Sequence, residues 1–158
     1  MFERNGYRIL IVEDDLAILD LLVTRLELAG YRTNVARNGK IALQFLRDQT
    51  PDAIILDLNM PEIDGFSVLM ALRRRPERQR PPTLVLTARN AADDVRKCLE
   101  LGAKDYLSKP FNDKLLLARV ARLLRPRAAA PAAPAAPVAP RGFSAARREV
   151  VDPNEIVL

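Results

Sequence analysis

Tyr7-Arg8-Ile9-Leu10-Ile11-Val12-Glu13-Asp14-Asp15 is the stretch on which the fold turns. Ile9 to Val12 are aliphatic without a break and mostly β-branched, so they read as a strand covered on both sides, since a half-exposed strand would alternate with polar residues. Ala53-Ile54-Ile55-Leu56-Asp57-Leu58 repeats the form, again apolar and again running into an acid. Two such strands require helices on both faces of the sheet that contains them.

Working outward, the helices are present at the expected places. Leu16, Leu19, Leu22, Val23 and Leu26 recur at helical spacing until Gly30 supplies a stop. Arg32 to Ala36 reads as a strand, Lys40 to Gln49 as a helix, and Phe66 to Arg74 as another. Pro81-Pro82 precedes a fourth strand, Thr83 to Thr87. Ala91 to Leu101 reads as a helix stopped by Gly102, Asp105 to Leu107 as a short strand, and Asp113 to Leu124 as a last amphipathic helix. Five βα units in succession predict an α/β, doubly wound, five-stranded parallel sheet.

The chain has 158 residues, 49% hydrophobic and 28% charged, the balance of one soluble globular domain. Apolar runs fall far short of a membrane span, and Met1 to Gly6 show no export signal, so a cytoplasmic protein is expected. The single cysteine, Cys98, excludes an internal disulfide framework and reads as a small packed hydrophobe. The chain contains no histidine. Ser-His-Asp and Cys-His catalysis and His-ligated zinc are thereby excluded, leaving carboxylates, hydroxyls, lysine or a hard cation.

The net charge of +5 is spread thinly, with 20 basic and 17 acidic side chains in residues 1–124. The one dense cluster, Arg73, Arg74, Arg75, Arg78 and Arg80, has no aromatic neighbour for base stacking and reads as a solvated helix end and loop. Direct nucleic-acid binding is not expected. Residues 128–140 are Ala and Pro apart from one Val, an extended spacer of roughly 40 Å. The expected organisation is a folded unit over 1–124, an Ala/Pro-rich linker over 125–140, and a tail over 141–158 that is disordered or docks on a partner. The 34 residues after Leu124 are too few for a DNA-binding effector domain.

In such sheets ligands bind at the carboxyl ends of the strands. The first strand ends in Glu13-Asp14-Asp15, the third in Asp57 and the fourth in Thr87, and the fifth is followed by Ser108-Lys109-Pro110. Converging carboxylates repel one another unless a cation neutralises them, and an all-oxygen set suits Mg²⁺. Lys109 and Thr87 add a compact positive charge and a hydroxyl donor, which suits a phosphoryl group. Taken alone, Glu13-Asp14-Asp15 reads more readily as a helix N-cap and acidic first turn than as a metal site, and Tyr106 more readily as core packing than as a functional residue.

Four strings at these strand ends, together, resemble the receiver domain of bacterial two-component response regulators. They are Ile9-Leu10-Ile11-Val12-Glu13-Asp14-Asp15, Leu56-Asp57-Leu58-Asn59-Met60-Pro61 with Asp64-Gly65, Leu86-Thr87-Ala88, and Gly102 through Phe111. The resemblance covers roughly residues 7–124 and implies the flavodoxin-like strand order 2-1-3-4-5. It implies that Asp57 is the phosphoacceptor, attacking a phosphohistidine on a sensor histidine kinase or histidine phosphotransfer protein. Asp14 would bind Mg²⁺ directly, Glu13 through water, and Asn59 through its backbone carbonyl, with Asp57 completing the metal set. Lys109 would pair with phosphoryl oxygens, and its bond to Pro110 is expected to be cis.

Thr87 and Tyr106 would act as the switch, altering the face of the fourth helix, fifth strand and fifth helix that a downstream protein target reads. The resemblance implies no enzyme beyond the domain's own phosphorylation and dephosphorylation, the latter slow or intermediate and tuned by Asn59 and Arg89. A homodimer stays open: Asp105 with Arg119 falls where one inter-subunit pair would lie, but an acid frequent early in the last helix is Leu115 here. Three other readings stay open: a phosphate-independent interaction module, a phosphohydrolase with an aspartyl-phosphate intermediate, and the N-terminal part of a longer regulator.

Overall fold

The computed structural model describes residues 6–60, 62–88 and 92–125. Within them run β1 (Arg8–Val12), α1 (Leu16–Leu28), β2 (Arg32–Ala36), α2 (Gly39–Asp48), β3 (Ala53–Asp57), α3 (Gly65–Arg73), β4 (Thr83–Thr87), α4 (Ala92–Glu100), β5 (Asp105–Ser108) and α5 (Asp113–Leu123). The elements match those read from the sequence, with bounds shifted by a residue or so. One short 3₁₀ turn, Glu77–Gln79, lies where only a loop was read. The sheet is parallel throughout with strand order β2-β1-β3-β4-β5. The linker residues beyond Arg125, the tail over 141–158, Pro61 and Arg89 lie outside the described residues.

The alternation of side chains along a strand divides the core into two. Leu10, Val12, Ile54, Leu56 and Val85 pack with Ala42, Leu46, Val68, Leu72 and Cys98, placing α2, α3 and α4 on one face. Ile9, Ile11, Ile55, Leu84, Leu86 and Leu107 pack with Leu19, Leu22, Leu26, Leu116 and Val120, placing α1 and α5 on the other. All five residues of β3 are buried, as are all five of β4. Unbroken apolar runs are therefore what a central strand between two helical layers requires. Cys98 sits wholly inside the first layer, and burial pushes its thiol up to about 12, so it packs as a hydrophobe.

Helix starts are set by side chains that take up free N–H groups. The Asp15 carboxylate accepts from Ala17 and Ile18, Asn38 from Ile41, Asp64 from Ser67 and Asn112 from Leu115. α4 ends at Gly102, whose φ of +109° is open to glycine and strained for side-chain-bearing residues.

Four arginines of the cluster, Arg73, Arg74, Arg78 and Arg80, are exposed, as a solvated helix end and loop requires, and Arg75 is half-buried; three of the five also make bonds that the sequence did not indicate. Arg73 donates to the Glu100 carbonyl at 3.0 Å, Arg80 to the Arg73 and Arg75 carbonyls, and Arg75 to the Leu46 carbonyl. Guanidinium groups here close the carboxyl-terminal turns of α2, α3 and α4, where unpaired carbonyls and the negative end of the helix dipole favour cations. Sequence spacing alone does not reveal these bonds, because their acceptors are backbone atoms of other helices.

Gly65 marks the tightest approach behind the β3 end. A Cβ there would lie 2.7 Å from the Asp57 carbonyl oxygen and 2.8 Å from the Leu58 Cα, both backbone atoms that cannot swing aside. Gly65→Ala is expected to lower the unfolding free energy by roughly 1–3 kcal/mol, the usual cost of overpacking. Urea denaturation checks this, and unchanged stability would show that the α3 start yields freely.

Candidate functional site

Strand register assembles the site. Val12 pairs with Leu56, so Glu13 and Asp57 are the next residues on adjacent strands. Asp57 pairs with Leu86, placing Thr87 one step further, and Thr87 pairs with Ser108, placing Lys109 one step beyond that. The Lys109 N–H donates to the Thr87 carbonyl at 2.8 Å, which fixes the β5 end against β4. Four residues from distant parts of the chain thus meet at one edge of the sheet.

One carboxylate oxygen from each of Glu13, Asp14 and Asp57 lies within 4.8 Å of the others. Glu13 and Asp57 are buried and Asp14 is half-buried. Lys109 Nζ stands 3.2 Å from Asp57 Oδ1 and 3.3 Å from Glu13 Oε1. It hydrogen-bonds the first, whereas its approach to the second is an ion-pair distance without hydrogen-bond alignment. Asp57 Oδ1 also accepts from the Asn59 N–H at 3.2 Å, and Glu13 Oε2 from the Asp15 N–H at 3.1 Å. The acidic run therefore divides its labour: Asp15 caps α1, while Glu13 and Asp14 face the cluster.

Burial, the largest effect, pushes the Glu13 carboxyl up to about 7. The Asp57 charge pushes the same way, and the Asp15 N–H and Lys109 only partly offset both. Burial also opposes the Lys109 ammonium, but Asp57 and Glu13 outweigh it and hold that pKa above its ordinary value. Lysine alone therefore leaves negative charge at the site under-compensated.

The residues fit a hard divalent ion. Every candidate ligand atom is an oxygen, the carboxylates converge, and Glu13 Oε1 is buried without a hydrogen bond. Thr87 Oγ1 is likewise buried with no hydrogen-bond partner, on the strand next to Asp57. Such an orphan hydroxyl costs free energy unless an acceptor reaches it. The Lys109–Pro110 peptide is cis.

Tyr106 is half-buried and packs against the core layer of α2, α3 and α4. Beside it lies an interaction that sequence reasoning saw only in part. Asp105 is buried and accepts from Arg119 at 3.0 Å, from Arg122 at 2.6 Å and from the Tyr106 N–H at 2.9 Å. Arg119 also donates to the Tyr106 carbonyl at 2.6 Å. The Asp105–Arg119 pair that could serve a homodimer is made within the chain, and Arg122, three residues along α5, is its second partner. Helical i, i+3 spacing of two arginines opposite a β5 acid was the available signal.

The raised Glu13 pKa gives a pH dependence with a defined sign. Between about 4.5 and about 7 the folded protein holds a proton that the unfolded chain has released, so stability from this group is lost as pH rises through that window. Without divalent ions, Glu13→Gln is expected to gain on the wild type by about 2–3 kcal/mol between pH 5 and pH 8. Urea unfolding of both proteins at both pH values measures this; a constant difference would show that Glu13 does not carry the buried charge.

Comparison with known proteins agrees with the geometry. A sequence profile of the response regulator receiver domain matches residues 9–121. The transcriptional regulatory protein PrrA of Mycobacterium leprae is 46% identical over 122 residues, 77% of this chain and 52% of that protein. The DNA-binding dual master transcriptional regulator RpaA of Synechocystis is 44% identical over 118 residues, 75% of this chain and 49% of that protein. The chain thus spans about half the length of these curated relatives. A putative response regulator from Chloroflexus aurantiacus superposes with a TM-score of 0.71 at 37% identity, over 75% of this chain and 97% of that one. The receiver domain of the sensor histidine kinase PA1611 from Pseudomonas aeruginosa, whose crystal structure has a magnesium ion coordinated in the active site cleft, gives 0.69 at 33% identity, over 75% and 98%. From strand order, site and sequence alike, the chain belongs to the response regulator receiver domain family.

Proposed function

We propose that this receiver domain accepts a phosphoryl group on Asp57 from the phosphohistidine of a sensor histidine kinase or histidine phosphotransfer protein. The observation that carries the proposal is the convergence of Glu13, Asp14 and Asp57 on one spot with Lys109 Nζ against two of them. These 158 residues contain no histidine, so the donor imidazole lies outside them. An Asp57 oxygen forms the new P–O bond as the P–N bond to the donor breaks and the imidazole departs. No general base is required, because an ionised carboxylate has no proton to lose.

Phosphoryl transfer depends mainly on alignment and charge neutralisation. Lys109 is positioned to hold phosphoryl oxygens, and its raised pKa keeps it cationic at neutral pH. Glu13, Asp14, Asp57 and the Asn59 carbonyl would hold Mg²⁺, which when bound neutralises charge on the carboxylates and phosphoryl oxygens. The domain acts on no turnover substrate other than its own phosphorylated state. Arg89, the second residue expected to tune dephosphorylation, lies outside the described residues.

The switch follows from the orphan hydroxyl. A phosphoryl oxygen on Asp57 offers Thr87 Oγ1 the acceptor it lacks, so its movement breaks no existing hydrogen bond. β4 passes that movement to β5 through the Thr87–Ser108 and Val85–Tyr106 pairs. The face of α4, β5 and α5 around Tyr106 is then read by a downstream protein. In this reading residues 1–124 are the receiver, 125–140 a spacer and 141–158 a tail, whether the unit acts alone or within a longer regulator.

With Mg²⁺ and a small-molecule phosphodonor, intact-mass measurement should show one added phosphate on the wild type and none on Asp57→Asn. Lys109→Ala should slow labelling on the order of 100-fold, the usual cost of one preorganised charge-stabilising donor. Equal labelling of wild type and Asp57→Asn would reject the site. No labelling of the wild type would favour a phosphate-independent module.

A further inference from the structure

The cleft between α2 and α3 lies outside the phosphoacceptor machinery and has the makings of a binding surface. It has a volume of 380 Å³, within the range of about 300–1,000 Å³ usual for ligand sites. Leu43 and Leu72 face it from the two helices, with Ile63 from the loop before α3. The cleft is pinched where α2 begins: Gly39 has no side chain, and a Cβ there would lie 2.4 Å from the Ile63 carbonyl oxygen. At the other end Arg75 donates to the Leu46 carbonyl and ties the carboxyl-terminal turns together. Its walls are therefore held at fixed spacing.

Its rim carries one sign of charge. Lys40, Arg47 and Arg75 line it and no carboxylate does. Among the described residues Lys40 and Arg47 have no ion-pair or hydrogen-bond partner for their side chains, and Arg75 commits one of its five N–H groups to Leu46. Arg73 and Arg80, by contrast, are held on backbone carbonyls. An apolar floor under unpaired cations is complementary to aliphatic side chains flanked by carboxylates.

We propose that the α2–α3 cleft is a docking site for an acidic segment of a partner protein, whose aliphatic side chains enter over Leu43, Ile63 and Leu72 while its carboxylates pair with Lys40, Arg47 and Arg75. The occupant is a peptide segment because the cleft opens to solvent between two helices, a geometry that accepts an amphipathic chain. This surface belongs to the opposite helical layer from α1 and α5, and its use requires no phosphate on Asp57.

The test titrates the full chain, without phosphodonor, with a fluorescent peptide of about twelve residues bearing leucine at i, i+3, i+4 and i+7 and glutamate elsewhere. Fluorescence polarisation and the methyl NMR signals of Leu43, Ile63 and Leu72 are the readouts. The expected result is saturable binding that shifts those methyl signals, weakens at least about tenfold in K40E/R47E, and persists in R74E/R78E, whose exposed arginines lie outside the cleft. A matched lysine peptide should not bind. Equal weakening in both double variants would reduce the effect to general charge attraction and overturn the proposal. Absence of binding, or binding without movement of the three methyl signals, would overturn it as well. Thermal melts of each variant confirm that loss of binding is not loss of fold.

Discussion

Three carboxylates gathered at one edge of a sheet, against a single ammonium, are the constraint from which the rest of this receiver follows. Bringing Glu13, Asp14 and Asp57 together costs free energy, and Lys109 offsets only part of it, as the raised Glu13 pKa records. A fold that tolerates this arrangement needs rigid support beneath it. That support is the parallel sheet: β1 and β3 are buried on both faces, paired in register, and end at the same level. Two apolar layers hold the strands, and Gly65 lets α3 begin directly against the Asp57 backbone. The site is strained electrostatically and held mechanically, the condition in which added charge or a bound cation alters a local balance.

Much of this was legible in the sequence because the signals are local and periodic. Short unbroken apolar runs rich in β-branched residues read as strands covered twice, and the terminal residues of parallel strands then share an edge whatever the details of the helices. That reasoning placed Glu13, Asp14, Asp57, Thr87 and Lys109 together before any distance was known. The strand order was not legible from periodicity and came through resemblance, since five βα units can be wound in more than one order. The role of Asp15 was ambiguous for a physical reason: an acid at a strand end that opens a helix can face the crevice or the helix, and only coordinates show that Asp15 caps Ala17 and Ile18.

What stayed hidden involved long side chains reaching backbone or distant charges. The arginines at and beyond the end of α3 are largely exposed, as read, yet Arg73, Arg75 and Arg80 also close three helix ends through carbonyls no pattern announces. Likewise Arg122 joins Arg119 on Asp105 within the chain, so the buried acid of β5 is already matched. This pairing ties α5 to β5 beside Tyr106, linking the face proposed for signalling to the strand that Lys109 directly follows. Tyr106 and Lys109 are three residues apart along that segment.

The central claim is that the carboxylate cluster is a divalent-ion cup, and calorimetric titration of Mg²⁺ into the wild type and Asp14→Ala tests it most directly. Asp14 is half-buried and forms no part of the apolar core, so its loss leaves the fold in place. The account predicts one Mg²⁺ per wild-type chain and an affinity lower by roughly tenfold or more in the variant. Equal Mg²⁺ affinity in the two proteins, or none in the wild type, would contradict it.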